Sequence, residues 1–349
     1  MFQIDVCLSD DEISQGLCLS YKITVLIAAL GIAINFLVCV YAFAATTFSP
    51  NTAIFRATLI IDVISCAGYL LDATSTLVNI PGTGRIQYKD GTTIQNLPNS
   101  YTLSKEMHMV KVNDCAVYKP FLFFILLARQ WISMIMLVMG LERLLFVCYP
   151  LWFRAIRVRR TPIVLFTLCF SLLSSSIAYT NSIFINPDED TYYSCEVTWA
   201  FGDNYGWCQS FLIVFEQFLA WGFVVYSFTI AMKRSAILRF GNQREKLIME
   251  RKRIRRAMWL ISATLLFCGL PQFILFLLRF YWNWRFAIVK QYISIFFNLK
   301  CFANILLFFV LGDHKKTFIR LMKSLFTRKD KRRIEACDSV ISVSYYVAS

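Results

Sequence analysis

The chain has 349 residues, of which 57% are hydrophobic, 16% aromatic and only 17% charged. A soluble globular chain is about half apolar and about one quarter charged, so these values exclude an ordinary soluble protein and indicate a membrane protein. The net charge of +14 lies in short blocks between apolar stretches. That placement favours anchoring at the inner membrane face and argues against nucleic acid as a partner.

Seven apolar stretches are long enough to cross a bilayer core of about 30 Å as helices. The third carries Arg129 and ends in Glu142 and Arg143, and we expect the other six to pack around it. We predict an all-α membrane protein, a seven-transmembrane helix bundle with a short amphipathic surface helix at residues 315–326. The approximate spans, numbered one to seven in chain order, are residues 23–43, 57–80, 121–150, 162–184, 211–232, 257–278 and 291–311.

The Lys and Arg residues predict the orientation of the bundle. Residues 151–160, 233–256 and 313–349 hold four, ten and nine of them, whereas residues 1–20 and 186–208 hold none. Loops rich in Lys and Arg remain on the cytoplasmic side of a membrane. We therefore expect an extracellular segment at 1–20, a seven-helix transmembrane domain at 21–326 and a cytoplasmic tail at 327–349. The four basic residues of the 81–114 loop are the one observation against this orientation.

Five cysteines are expected on the outer side, where disulfides are stable. The favoured bridge joins Cys115, at the outer end of span three, to Cys195 in the acidic loop, and Cys7–Cys18 is a second candidate. Cys208 is the fifth, so at least one cysteine is left over, and spacing does not decide the pairing.

Several short motifs occur in order along the spans. Glu142-Arg143-Leu144 and the later Pro150 resemble the Asp/Glu-Arg-Tyr motif of rhodopsin-like G-protein-coupled receptors. Gly31 and Asn35 in span one, Leu59 and Asp62 in span two, Cys268-Gly269-Leu270-Pro271 in span six and Asn304 to Phe308 in span seven are similar to motifs of the same superfamily.

Spans six and seven depart from the usual motifs of that superfamily. Span six has Gly269 where Trp is usual, and span seven has Ile305 and Phe308 where Pro and Tyr are usual. These departures and the short N-terminus resemble the divergent serpentine chemoreceptors of nematodes. The resemblance implies a plasma-membrane receptor that binds an unknown small molecule or peptide between its outer helix halves and activates a heterotrimeric G protein.

The resemblance also implies roles for individual residues. Arg143 would be held by Glu142 at rest and released to meet a partner helix, although the pair could also be only an interfacial charge pair. Pro271 would hinge span six or merely kink it. The resemblance also implies that Pro150, Asn304 and Phe308 take part in G-protein coupling and activation.

Four ionisable residues lie inside the spans, where each costs on the order of 3 kcal/mol and therefore requires an interior partner. They are Asp62, Arg129, Glu216 and Lys300. Arg129 and Glu216 are equally explained as ligand contacts or as an internal salt bridge, and Asp72 near the outer mouth is a third ligand candidate.

Asn35, Asp62 and Lys300 are expected to form a polar core inside the bundle. In similar receptors the span-two acid holds sodium. Lys300 lies one helical turn before Asn304, so we expect its ammonium to reach Asp62 and to take the place of that cation.

An enzyme is poorly supported, because the chain has only two histidines and no metal-ligand spacing or phosphate-binding loop. We expect no cofactor and no metal. The alternatives are a transporter or ligand-gated channel that uses the intramembrane charges, and a membrane scaffold that no longer signals. The odd number of spans and the absence of a repeat count against a transporter.

Overall fold

The structure, a computed structural model, describes residues 12–44, 53–77, 109–151, 160–192, 195, 197, 200–237, 254–255, 257–278 and 285–311. Within these ranges, six helices are long and apolar enough to cross a membrane, and a seventh, shorter apolar helix covers Ile295–Leu306. Long helices are expected here because a bilayer core offers no water to the backbone, so each peptide group must be paired within its own segment.

The spans agree with the sequence prediction at their centres and differ from it at their ends. Span one begins earlier, because its helix extends outward through residues predicted to be a polar N-terminal segment. The helical bounds are Glu12–Ala44 for span one, Ala53–Leu77 for span two, Leu122–Cys148 for span three, Arg160–Thr180 for span four, Asp203–Ile237 for span five, and Arg285–Leu311 for span seven. Span six has its apolar stretch at Ala257–Leu277 and ends in the helix Leu270–Leu278.

Span three is the most enclosed helix of the bundle, as predicted. In the most apolar 18-residue stretch of span three, 72% is buried, compared with 22% in the corresponding stretch of span four. It contacts spans two, four and five. At Gly140 an added Cβ would lie only 2.7 Å from the carbonyl oxygen of Ala220 in span five. Glycine therefore lets the backbones of spans three and five approach one another.

The side of the bundle that the sequence predicts to face outward carries a small element that the all-helical prediction missed. Strand β1 (Met109–Lys111) pairs antiparallel with strand β2 (Asp190–Tyr192), and Val110 lies opposite Thr191. The short helix Val112–Tyr118 follows β1 directly and contains Cys115, whose sulfur is bonded to that of Cys195. The disulfide and the strand pair hold the loop before span five against the outer end of span three.

Two spans contain a wide helical turn. Residues Asn181–Ile185 at the outer end of span four and Leu265–Gly269 within span six form π-helix. The π turn of span six ends at Gly269, two residues before Pro271. Pro271 has no backbone N–H to donate. A π turn and a proline so close together place an irregular segment in the middle of span six.

Several sequence predictions concern residues that lie outside the described ranges. They are the 1–11 end of the N-terminal segment with Cys7, the long 81–108 stretch, most of the three basic blocks, the surface helix at 315–326 and the tail at 327–349. The helix of span five continues to Ile237, beyond its predicted end at residue 232.

Candidate functional site

Arg129 lies inside the bundle, as its helical position predicted, with a side chain only 5% exposed. Its Nε and Nη2 atoms donate to the hydroxyl of Tyr69 at 3.0 and 2.6 Å, and Nη1 donates to Oε1 of Gln272 at 3.1 Å. The guanidinium carbon lies 4.1 Å from the ring centroid of Phe297, within the range of a cation–π contact. These partners come from spans two, six and seven, so one side chain of span three contacts three other helices.

Gln272 extends this group of contacts to span five. Its Nε2 atom donates to the hydroxyl of Ser210 at 3.3 Å, and the Gln272 side chain is buried. Tyr69, Arg129, Gln272 and Ser210 thus form one connected hydrogen-bonded chain, which we name the Arg129 network. A group that displaced one member would change the contacts between four spans.

Glu216 of span five is also buried, at 3% exposure, and contacts span three. Its Oε2 accepts a hydrogen bond from the hydroxyl of Ser133 at 2.6 Å. Both carboxylate oxygens lie 3.3 Å from Nε2 of Gln130. Among the described residues no ion pair joins Arg129 to Glu216. The internal salt bridge, one of the two explanations considered for these charges, is therefore not formed: Arg129 contacts Tyr69 and Gln272, whereas Glu216 of span five contacts Ser133 and Gln130.

Buried amide groups near these charges have atoms with no hydrogen-bond partner among the described residues. They are Oε1 of Gln130, Oε1 of Gln217, Nε2 of Gln209 and both polar atoms of Asn298. Leaving a buried polar atom unpaired costs about 1–3 kcal/mol, so such atoms mark places where water or a ligand group is favoured. The sequence prediction overlooked these amides, although uncharged Gln and Asn within apolar spans were the available signal.

Two of the three residues predicted to form a polar core, Asp62 and Lys300, contact each other between spans two and seven. Lys300 Nζ lies 2.5 Å from Oδ1 of Asp62, and Nδ2 of Asn304 donates to Oδ2 of Asp62 at 2.7 Å. Asp62 is fully buried. Asn35 instead donates to the carbonyl of Gly31 in its own helix, and its Oδ1 has no described partner. The lysine ammonium and the Asn304 amide thus both contact the buried carboxylate.

Two thiols adjoin the same core. Sγ of Cys66 lies 3.0 Å from Sγ of Cys301, and Cys301 Sγ lies 3.7 Å from the backbone oxygen of Asp62. Neither cysteine is exposed. These contacts add to the close packing of spans two and seven.

Asp72 has a different environment from the other ligand candidates. Its Oδ1 lies 3.2 Å from Nζ of Lys119, and its side chain is 19% exposed. Lys119 lies just after the short outer helix Val112–Tyr118. The described contacts do not join Asp72 to Arg129 or Glu216, so this pair helps to hold the outer ends of spans two and three together.

At the inner end, Glu142 is buried and Arg143 is partly buried near the end of span three, and Pro150 follows that helix. One turn beyond Arg143, Val147 packs with Ala231 of span five and Ile254, which precedes span six, in a buried apolar cluster. We name these three residues the inner cluster. It holds the inner ends of spans three, five and six together. The side chain of Phe308 lies outside the described residues.

The comparison with known families agrees with this architecture. The family model described as serpentine type 7TM GPCR chemoreceptor Srsx matches residues 93–324, which cover about two thirds of the 349 residues and contain spans three to seven. Among curated proteins, none matches the chain. The match confirms the resemblance drawn from the motifs and assigns the chain to a receptor class and not to an enzyme class. This multi-pass membrane protein therefore belongs to the Srsx family of serpentine seven-transmembrane chemoreceptors.

Proposed function

We propose that this chemoreceptor binds a small molecule or peptide between the outer halves of its spans and activates a heterotrimeric G protein at its inner face. The observation that carries the proposal is the Arg129 network. It connects spans two, three, five and six through four buried side chains. A ligand that bound one arrangement of this network more tightly than another would shift the population of the bundle.

The irregular segment of span six supplies a route from ligand to inner face. Gln272 follows the π turn Leu265–Gly269 and Pro271 directly. A change in the contacts of Gln272 would act on the part of the helix that is least constrained by backbone hydrogen bonds. The inner end of span six would then move away from spans three and five, and the inner cluster would open.

In this proposal the motif residues of span three act at the inner face. Glu142 holds Arg143 at rest, and release of Arg143 lets its guanidinium meet the carbonyl end of a G-protein helix, where the helix dipole is negative. Pro150 follows the end of span three. Asn304 and Phe308, in span seven, would adjust to the movement of span six, while Asp62 and Lys300 keep spans two and seven together.

The membrane placement that accompanies this function is also a proposal. We place the receptor in the plasma membrane with residues 1–20 outside and the tail 327–349 inside, and we place the receptor unit at 21–326. The uneven distribution of Lys and Arg supports this orientation. So does the position of the Cys115–Cys195 disulfide, which is stable only on an oxidising side of the membrane.

The proposal is tested by guanine-nucleotide exchange on a panel of purified heterotrimers, with the full-length receptor in membranes. Basal exchange above that of empty membranes is expected, and Arg143→Ala is expected to remove most of it at equal surface expression. Arg56→Ala is the matched control, because Arg56 is an arginine near the opposite end of span two from Asp72 and contacts Phe43 and the carbonyl of Ala42. Exchange that Arg143→Ala leaves unchanged would refute the role of Arg143. Ion flux without nucleotide exchange would favour a channel or transporter.

A further inference from the structure

The carboxyl group of Glu216 is buried, and the hydrogen-bond donors described around it are neutral. Its described partners are the hydroxyl of Ser133 at 2.6 Å and the amide of Gln130 at 3.3 Å. No Lys or Arg side chain in the described part of the chain lies within ion-pair distance of it. A carboxylate in a membrane interior is costly unless a positive charge accompanies it. The site therefore favours a cation from outside the protein.

A second observation specifies what kind of cation fits. Oε1 of Gln130, fully buried, has no hydrogen-bond partner in the described residues. An amide oxygen lies about 2.2 Å from the nitrogen of the same amide. Because Gln130 Nε2 is 3.3 Å from each carboxylate oxygen, its Oε1 is within roughly 5.5 Å of them. One donor nitrogen at about 2.8 Å from each acceptor can bridge that separation.

A third acceptor lies on the same turn of span five. Oε1 of Gln217 also lacks a described partner, and it lies 2.5 Å from the position that a Cβ on Gly269 would occupy. Gly269 belongs to the π turn of span six. Any larger residue there would displace the Gln217 side chain. Two buried amide oxygens, on Gln130 and on Gln217 next to Glu216 in the chain, thus have no partner among the described residues.

We propose that the ligand of this receptor carries a primary ammonium group that binds Glu216 as its counter-ion and donates a hydrogen bond to Oε1 of Gln130. The inference rests on the proposed function, since it names the ligand class of that site. An ammonium has three N–H donors and no acceptor, which matches a carboxylate beside an unpaired amide oxygen. A quaternary ammonium has the charge without the donors, and a carboxylate ligand has the wrong sign.

The charges of the outer segments agree with a cationic ligand. Residues 1–20 and 186–208 contain acidic residues and no Lys or Arg. Acidic segments attract ligands of the opposite sign and raise their local concentration. Arg129 would then contact a neutral or acceptor part of the ligand through the Tyr69 and Gln272 side of the bundle.

The test uses the purified full-length receptor in nanodiscs of phosphatidylcholine and measures its melting temperature against probe concentration. The probes share one alkyl chain and differ only in the head group: hexylammonium, hexyltrimethylammonium, 1-hexanol and hexanoate. Hexylammonium is expected to raise the melting temperature saturably, with an affinity at least about tenfold above that of hexyltrimethylammonium, because each charge-assisted hydrogen bond is worth about one such factor. Hexanol and hexanoate are expected to have no saturable effect.

The variants separate the site from a general effect of amines on the membrane. Glu216→Gln is expected to abolish the shift caused by hexylammonium, and Gln130→Met to weaken it about tenfold. Ser175→Ala is the control, because Ser175 is likewise buried with an unpaired hydroxyl but lies in span four. It should leave the shift unchanged. An equal shift in wild type and Glu216→Gln would overturn the inference, and so would no shift, or a shift with hexanoate alone.

These outcomes are distinct from those of the exchange assay. Exchange that depends on Arg143 without amine binding would overturn the ammonium inference and leave the receptor function standing. Amine binding that depends on Glu216 without exchange would support the ligand class and count against G-protein activation.

Discussion

Because Asp62 is paired with Lys300, we predict that the buried core of this receptor is stable without a bound sodium ion. In Lys300→Met the Asp62 carboxylate, fully buried, would retain only the hydrogen bond from Asn304 at 2.7 Å. Removing one partner of a buried pair costs about 3–5 kcal/mol, because the remaining charge is left uncompensated. We expect the melting temperature of the purified receptor to fall by about 5 °C or more.

The double variant Asp62→Asn/Lys300→Met should regain much of that loss, because it removes both charges together. Lys119→Met is the matched control: it breaks the pair with Asp72, whose side chain is 19% exposed. Water can solvate the Asp72 carboxylate, so the control should lose less stability than Lys300→Met. Equal losses in the two single variants would contradict the argument from burial.

Sodium provides the second measurement. Wild type is expected to melt at the same temperature in sodium and potassium chloride. In Lys300→Ala the carboxylate of Asp62 and Oδ1 of Asn304, which has no described partner, would be free to coordinate a cation. Sodium at ten times its dissociation constant would then stabilise this variant by about 1.4 kcal/mol. A sodium-specific stabilisation of wild type that disappears in Asp62→Asn would refute the reasoning.

Two further predictions concern packing. Gly140→Ala would place its Cβ 2.7 Å from the Ala220 carbonyl oxygen, so it should reduce the free energy of unfolding by about 1–3 kcal/mol and lower the melting temperature. Gly222→Ala is the control, because a Cβ at Gly222 meets nothing within 4 Å. Equal losses in the two variants would contradict the close approach of spans three and five. Ile254→Ala should raise basal nucleotide exchange, because it weakens the inner cluster in which Ile254 is fully buried. Trp259→Ala, at a 52% exposed position of span six, should leave exchange unchanged, and lower exchange in Ile254→Ala would count against opening at this cluster.

Much of the architecture could be predicted because bilayer physics acts on composition. An apolar stretch that must pair all its backbone groups internally becomes a helix, so the span centres followed from the sequence. The contact between Lys300 and Asp62 was also predictable, since Lys300 and Asn304 lie one turn apart on one helix face and a buried ammonium requires an acid. The same periodicity placed Arg129 inside the bundle.

The partners of Arg129 and Glu216 could not be predicted in this way. A helical period fixes the direction of a side chain from its own helix but not the height or rotation of the neighbouring helix. Tyr69, Gln272 and Phe297 reach Arg129, and Ser133 and Gln130 reach Glu216, only because of how the spans are set against one another. The strand pair β1–β2 and the π turn at Leu265–Gly269 likewise depend on packing. Composition and periodicity thus predict which segments cross the membrane and which residues face inward, whereas the packing of the helices determines which buried charges meet each other and which, like Glu216, are left beside neutral groups.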